Sequence, residues 1–257
     1  MKRLLIAMLF MARGLCAQSP FDGTWMIDSD SLTVPGKPAV YLISKGMIRG
    51  VGCAGKVEIK ADGDDQKIPT GSYWDTASAR VVDGSTVEII CKKAGKPMYT
   101  ETDTVSPDGN MLTQMVKDTT EAEAVTIETF SRRVEKGPDG AHAVSGSWRA
   151  YKVKRSKNGS IIKYKCTADG FSAETPLGEK FDAKFDGKFY PVEDDPGHTM
   201  VSLKLINANT VEQTGKRDGK IISVMRLTVS PDGKSIHGVR ENKEDNTSGS
   251  FDMRKQP

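Results

Sequence analysis

Side chains capable of acid-base or metal chemistry are scattered along the chain and form no recognisable motif. Its three histidines are far apart and lack the spacing of metal ligands, and their contexts favour loop or exposed positions. Two acidic turns, 62–65 and 193–195, lack the terminal Glu of a calcium loop. No nucleophile elbow, phosphate-binding glycine loop or dinucleotide fingerprint occurs. We predict no catalytic residue, metal or cofactor. The histidines are His142, His198 and His237.

One catalytic alternative stays open, because the chain is rich in carboxylates. A pair of them for hydrolysis would be invisible in the sequence, since spatial pairing cannot be inferred from it. An enzyme built on the same scaffold is therefore kept as the third hypothesis, behind two non-catalytic ones.

Aromatic residues are the best candidates for ligand recognition. Tyr73 and Trp74 in one part of the chain roughly match Phe189 and Tyr190 in another, and both pairs follow or adjoin polar turns. Aromatics placed before a strand can lie at the mouth of a barrel, where apolar side chains contact small ligands. The alternative is ordinary packing in the core or at an edge.

The elements that would position these residues are strands. Apolar and polar residues alternate with a period of two in 147–154, 181–185, 200–206 and 221–229, and β-branched and aromatic residues are frequent there. Asp-Gly and Asn-Gly dipeptides, typical of tight hairpins, separate them. No stretch of ten residues has a helical apolar stripe. The pattern predicts an all-β protein with eight to ten antiparallel strands per domain, in a barrel or sandwich.

Most of the chain occurs twice, at an offset of about 124 residues. Residues 57–63 match 181–187, 86–88 match 210–212, and 105–109 match 229–233. A repeat of this length is a whole domain rather than a solenoid unit. We predict two tandem domains, 18–137 and 138–257, that fold separately and are joined by the short Gly- and Pro-containing linker 135–142.

Each repeat begins with Gly-x-Trp and ends with Phe and Arg. The glycine and tryptophan are Gly23 and Trp25, then Gly146 and Trp148; the arginines are Arg132 or Arg133, then Arg254. When a sheet closes, its first and last strands become neighbours, so an Arg guanidinium can cover the indole. We predict this contact within each repeat, with a structural role.

This arrangement resembles the lipocalin and wider calycin families, whose barrels begin with Gly-x-Trp and carry a late Arg. The chain also resembles uncharacterised exported bacterial proteins with two lipocalin-like repeats. That resemblance implies fold and compartment but no reaction. Many such chains have a CxxC near position 50, where this chain has Gly50 and a lone Cys53, so a metal or redox role for such a pair is not carried over. The matching segments are 60–63, 73–76, 92–96, 146–149 and 216–220.

The first residues predict export. Lys2 and Arg3 precede an apolar stretch too short to span a bilayer, and Leu15-Cys16-Ala17 fits a cleavage site, giving a signal peptide over 1–17. Lipid anchoring through Cys16 is disfavoured by the bulky Leu15. No later apolar run reaches about 20 residues, so no transmembrane segment is expected. We expect a periplasmic or secreted protein.

Export leaves three cysteines, and an odd number permits one disulfide bond and leaves one thiol. Cys53 and Cys91 share the first domain and are the predicted pair. Cys166 lies in an alternating segment and is expected to be a buried small hydrophobic residue.

The net charge of +3 is unevenly distributed: residues 18–137 carry −4 and residues 138–257 carry +4. Basic residues of the second domain alternate with acidic ones, so we predict a solvated face and no nucleic-acid partner. Opposite charges would help the two domains dock.

Together these features favour an exported binding protein for a small apolar or amphipathic ligand. The alternative is a non-catalytic structural or interaction module at the cell envelope, with barrels filled by side chains.

Overall fold

The computed structural model describes residues 19–33, 37–50, 58–68, 74–120, 123–166, 169–244 and 246–257. In these ranges the chain forms twenty β-strands and two short 3₁₀ helices, Ser29–Ser31 and Asn158–Ser160. The predicted signal peptide, with Cys16, and also Cys53 and Tyr73 lie outside the described residues. The strands are β1 (Gly23–Asp28), β2 (Ala39–Ser44), β3 (Met47–Arg49), β4 (Glu58–Lys60), β5 (Gln66–Lys67), β6 (Thr76–Val81), β7 (Thr86–Lys93), β8 (Lys96–Val105), β9 (Met111–Asp118), β10 (Val125–Lys136), β11 (Gly146–Arg155), β12 (Ile161–Cys166), β13 (Gly170–Glu174), β14 (Lys180–Lys184), β15 (Tyr190–Pro191), β16 (Met200–Asn207), β17 (Thr210–Arg217), β18 (Lys220–Val229), β19 (Ser235–Asn242) and β20 (Thr247–Lys255).

Two antiparallel sheets of ten strands each contain these elements. Sheet 1 has the order β4-β3-β2-β11-β10-β9-β8-β7-β6-β5, and sheet 2 has the order β14-β13-β12-β1-β20-β19-β18-β17-β16-β15. Both sheets curl until their edges approach: Asp62, beyond β4, bridges to Arg80 on β6, and Lys180 on β14 bridges to Glu193, beyond β15. The prediction of an all-β fold with two antiparallel barrels is confirmed.

Alternation along the strands explains why they form two-sided surfaces. On β7 the buried residues are Val87, Ile89 and Cys91, with partly exposed residues between them. On β18 and β19 the buried apolar residues are Leu227, Val229 and Ile236. Since neighbouring side chains on a strand point to opposite faces, each sheet turns one apolar face inward.

The first strands of the two repeats are exchanged between the sheets. β1, from the first half of the sequence, pairs with β12 and β20 in sheet 2. β11, from the second half, pairs with β10 and β2 in sheet 1. The boundary predicted at 137/138 therefore does not separate the two sheets. The predicted linker is the turn of a hairpin, because Lys136 on β10 pairs directly with Gly146 on β11.

Each sheet encloses its own apolar core. In sheet 1, Ile48, Ile89 and Leu112 pack with Trp148, which β11 contributes from the second half of the chain. In sheet 2, Phe171, Leu203 and Met253 pack with Trp25, which β1 contributes from the first half. Both tryptophans are almost completely buried, so the exchanged strands are integral to the cores that receive them.

No helix in the described residues has the length and apolar character needed to cross a membrane.

Candidate ligand-binding site

The two Gly-x-Trp motifs form the same local structure. Gly23 and Gly146 have φ angles of 133° and 131°, a conformation that favours glycine. The indole Nε1 of Trp25 donates a hydrogen bond to the Phe21 carbonyl at 2.7 Å, and that of Trp148 donates to the Val144 carbonyl at 2.8 Å. The N–H group of each buried indole therefore has a hydrogen-bond acceptor.

A cation covers each indole, but it does not come from the same repeat. The Arg133 guanidinium lies 3.9 Å from the ring centroid of Trp148, and the Lys255 ammonium lies 5.3 Å from that of Trp25. The predicted contacts within each repeat, from Trp25 to Arg132 or Arg133 and from Trp148 to Arg254, are therefore wrong. The reason is the strand exchange, which places β11 beside β10 and β1 beside β20.

The remaining two predicted closure residues face other partners. The Arg132 guanidinium lies 5.0 Å from the ring centroid of Tyr151. Arg254 donates a hydrogen bond to the Asp28 carboxylate at 3.3 Å. Arg133 and Lys255 are equivalent, because each pairs across the strands with the tryptophan of its sheet. Arg132 and Arg254, the preceding residues, are equivalent in the same way.

The predicted aromatic candidates are dispersed. Trp74 packs against Tyr99 in the core of sheet 1, with ring centroids 5.7 Å apart. Phe189 lies under the Lys216 ammonium, at 4.0 Å, and the Tyr190 hydroxyl donates to Asp186 at 3.0 Å. None of these three aromatics lines the cavity at the end of sheet 2 that contains Ile27 and Phe251. Their role in binding stays a prediction.

A cavity of about 440 Å³ lies at one end of sheet 2. Its apolar wall comes from inward-facing positions on three strands: Ile27 of β1, Ile162 of β12 and Phe251 of β20. Leu32 and Thr33, which follow β1, also line it. The volume is within the range of small-molecule sites, which are mostly apolar with a few placed polar groups.

Two glycines allow close contacts at this end of sheet 2. On β19, Gly238 lies opposite Phe251 on β20, and a Cβ on Gly238 would overlap with the phenyl ring. Gly249 lies opposite Arg240, and a Cβ there would come within 2.8 Å of the Thr33 carbonyl oxygen. Both glycines therefore allow a close approach that a side chain would block.

Two arginines complete the cavity. Arg240 follows Gly238 on the inward face of β19, and Arg155 is the last residue of β11, a strand of sheet 1. Burial lowers the pKa of the Arg155 guanidinium, and the charge of Arg240 lowers it further. An Arg155 Nη donates to the Gly159 carbonyl at 3.2 Å. Among the residues that the structure covers, neither arginine has a carboxylate within ion-pair distance.

The corresponding region of sheet 1 is polar and acidic. Glu101 and Asp103 point inward from β8 and are 4% and 0% exposed. Glu101 accepts hydrogen bonds from the Tyr99 hydroxyl and, at 3.2 Å, from the Gln114 amide. Both carboxyl oxygens of Asp103 are buried, and no described residue lies in hydrogen-bond geometry with either of them. Burial and the neighbouring Glu101 carboxylate raise the pKa of Asp103 well above its ordinary value.

Sequence reasoning missed the inward-facing arginines of sheet 2 and the inward-facing carboxyl groups of sheet 1. A comparison of the two repeats at their offset does reveal the carboxyl groups. Glu101 and Asp103 in the first repeat align with Met225 and Leu227 in the second. The hairpin registers agree as well: Asp103 pairs with Gln114 where Leu227 pairs with Gly238. Charged residues at positions that are apolar in the sister repeat mark a difference in interior chemistry.

The cysteines agree in part with expectation. Cys91 is disulfide-bonded, and its predicted partner Cys53 lies outside the described residues. Cys166 is a half-buried thiol whose Sγ lies 3.4 Å from the Gly170 carbonyl oxygen. Within the described ranges no group of three His, Cys, Asp or Glu side chains could hold a metal ion.

Fold and site define an all-β protein of two barrel-like sheets with an open cavity in the second. No family model matches the chain, and no curated protein matches it. A solved structure that it resembles is the vaccine antigen transferrin binding protein B of Haemophilus parasuis Hp5, a tryptophan-to-alanine mutant, with 8% identity over 91% of this chain and 77% of that chain. The TM-score is 0.19, so this likeness carries no structural or functional argument.

Proposed function

We propose that this chain is a binding protein for a small apolar or amphipathic ligand, held in the cavity of sheet 2. The observation that carries the proposal is the 440 Å³ space walled by Ile27, Ile162 and Phe251. Burial of apolar ligand surface against these side chains would contribute about 25 cal/mol per Å² before the costs of association.

A different role fits sheet 1. Its matching inward positions are occupied by the hydrogen-bonded side chains of Tyr99, Glu101 and Gln114. Sheet 1 would then serve as the structural partner in the proposed binding protein, consistent with the alternative of a barrel filled by side chains.

We place this binding outside the cytoplasm. The support is the leader pattern of residues 1–17 and the disulfide-bonded state of Cys91, because disulfides persist in oxidising compartments. Expression in a bacterial host followed by mass measurement tests this. Cleavage after Ala17 is expected, and an uncleaved product or one lipidated on Cys16 contradicts it.

Binding can be tested with the neutral fluorescent probe N-phenyl-1-naphthylamine. We expect a saturable fluorescence increase with the full chain. Met225→Trp should abolish it, because Met225 lines the cavity and an indole would fill the space. Met115→Trp is the matched control, since Met115 lies on the outer face of β9 and is 36% exposed.

Circular dichroism of each variant separates loss of the site from loss of the fold. Failure of the wild-type chain to bind the probe, or full binding by a folded Met225→Trp variant, would overturn the proposed function.

A further inference from the structure

The geometry points to a ligand with an anionic head group, bound by Arg155 and Arg240 at the mouth of the sheet 2 cavity. This inference rests on the proposed function, because it specifies the chemistry of the ligand that the cavity would hold. The ligand class is an amphiphile with a single alkyl or similarly apolar body and a carboxylate or related anion.

Arg240 is held at the mouth by the register of its strand. It lies across from Met225 on β18 and from Gly249 on β20. Gly249 has no side chain to fill the space on one side of Arg240, while the Thr33 backbone passes close to Gly249. Arg240 is exposed at the mouth, and among the described residues its guanidinium has no hydrogen bond or ion pair, so its N–H donors are available to a ligand.

Arg155 arrives from the other sheet. β11 runs along β10 in sheet 1 and ends at Arg155, where the side chain reaches the cavity of sheet 2. Its hydrogen bond to the Gly159 carbonyl occupies one of five N–H donors. Because Arg155 is half-buried near a second positive charge, an anion between the two guanidinium groups would relieve their repulsion.

The apolar wall sets the orientation of such a ligand. Ile27, Ile162 and Phe251 pack against the core of sheet 2, so they mark the inner side of the cavity. An apolar body would lie against these residues, and its head group would meet the arginines. Guanidinium groups suit carboxylate heads, because they donate two parallel hydrogen bonds.

The sister sheet provides an internal comparison. At the repeat offset Arg240 corresponds to Val116, and Met225 corresponds to Glu101. Sheet 1 therefore has a valine where sheet 2 has Arg240. It also has the carboxyl group of Glu101 at the position where sheet 2 has Met225, which would disfavour an anion. Anion binding is expected at sheet 2 and not at sheet 1.

Displacement of N-phenyl-1-naphthylamine from the full chain tests the inference. Dodecanoate, 1-dodecanol and dodecyltrimethylammonium share one alkyl chain and differ in head-group charge. We expect dodecanoate to displace the probe at a concentration about tenfold lower than 1-dodecanol, as expected for a charge-assisted hydrogen bond in a partly buried site. The trimethylammonium compound should be the weakest.

Arg155→Gln and Arg240→Gln should each bring the dodecanoate concentration that half-displaces the probe close to the 1-dodecanol concentration that does so on the same variant. Arg226→Gln is the matched control. Arg226 follows Met225 in the sequence but lies on the outer face of β18, where its guanidinium forms an ion pair with Glu212 at 2.6 Å. Probe binding with equal displacement by dodecanoate and 1-dodecanol would overturn the inference and leave the proposed function intact. Absence of probe binding would overturn the proposed function itself.

Discussion

At the scale of single residues, the buried carboxyl of Asp103 lowers the stability of sheet 1 when it is ionised. It is 0% exposed, and neither of its oxygens accepts a hydrogen bond from any residue that the structure describes. A carboxylate in this position lacks both water and a compensating charge, so the neutral acid is the favoured form. The protein therefore loses stability when Asp103 is forced to ionise.

Asp103→Asn should stabilise the protein by about 1–3 kcal/mol near pH 7.5 and have little effect near pH 4. The pKa of Asp103 is higher in the folded protein than in the unfolded chain, so the stabilising contribution of the neutral acid is fully present below the unfolded pKa. This contribution to the free energy of unfolding is lost as pH rises through the folded pKa. Urea unfolding at both pH values measures this difference.

Asp182→Asn serves as the control, since Asp182 is exposed on the outer face of β14. Equal effects of Asp103→Asn at the two pH values would contradict the assignment.

Arg133 holds the end of the β10–β11 hairpin together. Its guanidinium donates to the carbonyls of Gly109, Ser145 and Ala143 and covers Trp148. We expect Arg133→Ala to cost about 2–4 kcal/mol in the free energy of unfolding, because three carbonyls and a cation–π contact lose their partner.

Arg132→Ala should cost less than about 1 kcal/mol, because Arg132 is exposed and its guanidinium makes a cation–π contact with the exposed ring of Tyr151. Chemical denaturation compares the two variants. Similar losses would contradict the role given to Arg133.

Residue types in the sequence predicted the tryptophan–cation contact but not its partners. The Gly-x-Trp motif and the basic residues late in each repeat predict that an indole contacts a cation. The strand exchange determines which repeat supplies the cation for each tryptophan. The sequence also did not distinguish Arg133 from Arg132, because the β10–β11 pairing has two register shifts, at Phe130/Ser131 and at Arg133/Glu135, and between them Arg133 pairs with Trp148. The cavity arginines had no motif at all.

At the scale of elements, the start of β11 depends on a glycine that tolerates no side chain. Gly146 has a φ of 131°, and a Cβ there would overlap with the Glu135 carbonyl oxygen across the hairpin. The hairpin pairs Gly146 with Lys136 at its closed end. A substitution here disturbs both the backbone conformation and the pairing of β10 with β11.

Gly146→Ala should destabilise the protein by about 3 kcal/mol or more, because strain at positive φ and a backbone clash act together. Gly140→Ala is the matched control in the same connection: Gly140 has a φ of 75°, and a Cβ there meets nothing within 4 Å. It should cost only about 1 kcal/mol.

Thermal unfolding followed by circular dichroism would compare the two. Equal midpoints would contradict the assigned clash.

Strand positions were predictable from alternation and turn dipeptides, since both depend on local chemistry. Ten strands per sheet lies at the upper limit of the predicted number, because short pairs such as Gln66–Lys67 and Tyr190–Pro191 lack a period of their own. The sequence predicts a linker over 135–142 because the Gly and Pro content of this segment suits an exposed boundary. The same content suits a hairpin turn, and only the pairing of Lys136 with Gly146 distinguishes the two.

At the scale of the whole molecule, the exchange interlocks the halves. Of the strands in the described ranges, each half contributes nine to one sheet and one to the other. Close to the exchange, the Thr33 N–H donates to the Ser250 carbonyl at 2.8 Å and the Lys152 ammonium lies 3.7 Å from Asp30. Sequence comparison found the duplication but not the exchange, because β1 and β11 are equivalent and fit either sheet by pattern.

A chain cut in the β10–β11 connection should therefore remain a single particle. We expect a protease site inserted between Asp139 and Gly140, once cleaved, to give fragments that elute together in size-exclusion chromatography and separate only in denaturant. Both cores would have to release a buried tryptophan before the fragments part.

Fragments that separate under native conditions would instead indicate that each half retains its own first strand. That outcome would support the separately folding domains 18–137 and 138–257 expected from the sequence.

The wall of the sheet 2 cavity includes Leu32 and Thr33 from the first half of the chain and Arg155 from the end of β11. A single repeat cannot build this enclosure from its own residues in the exchanged arrangement. Any molecule held there would bridge both halves, so occupancy and the cohesion of a cleaved chain would be thermodynamically coupled.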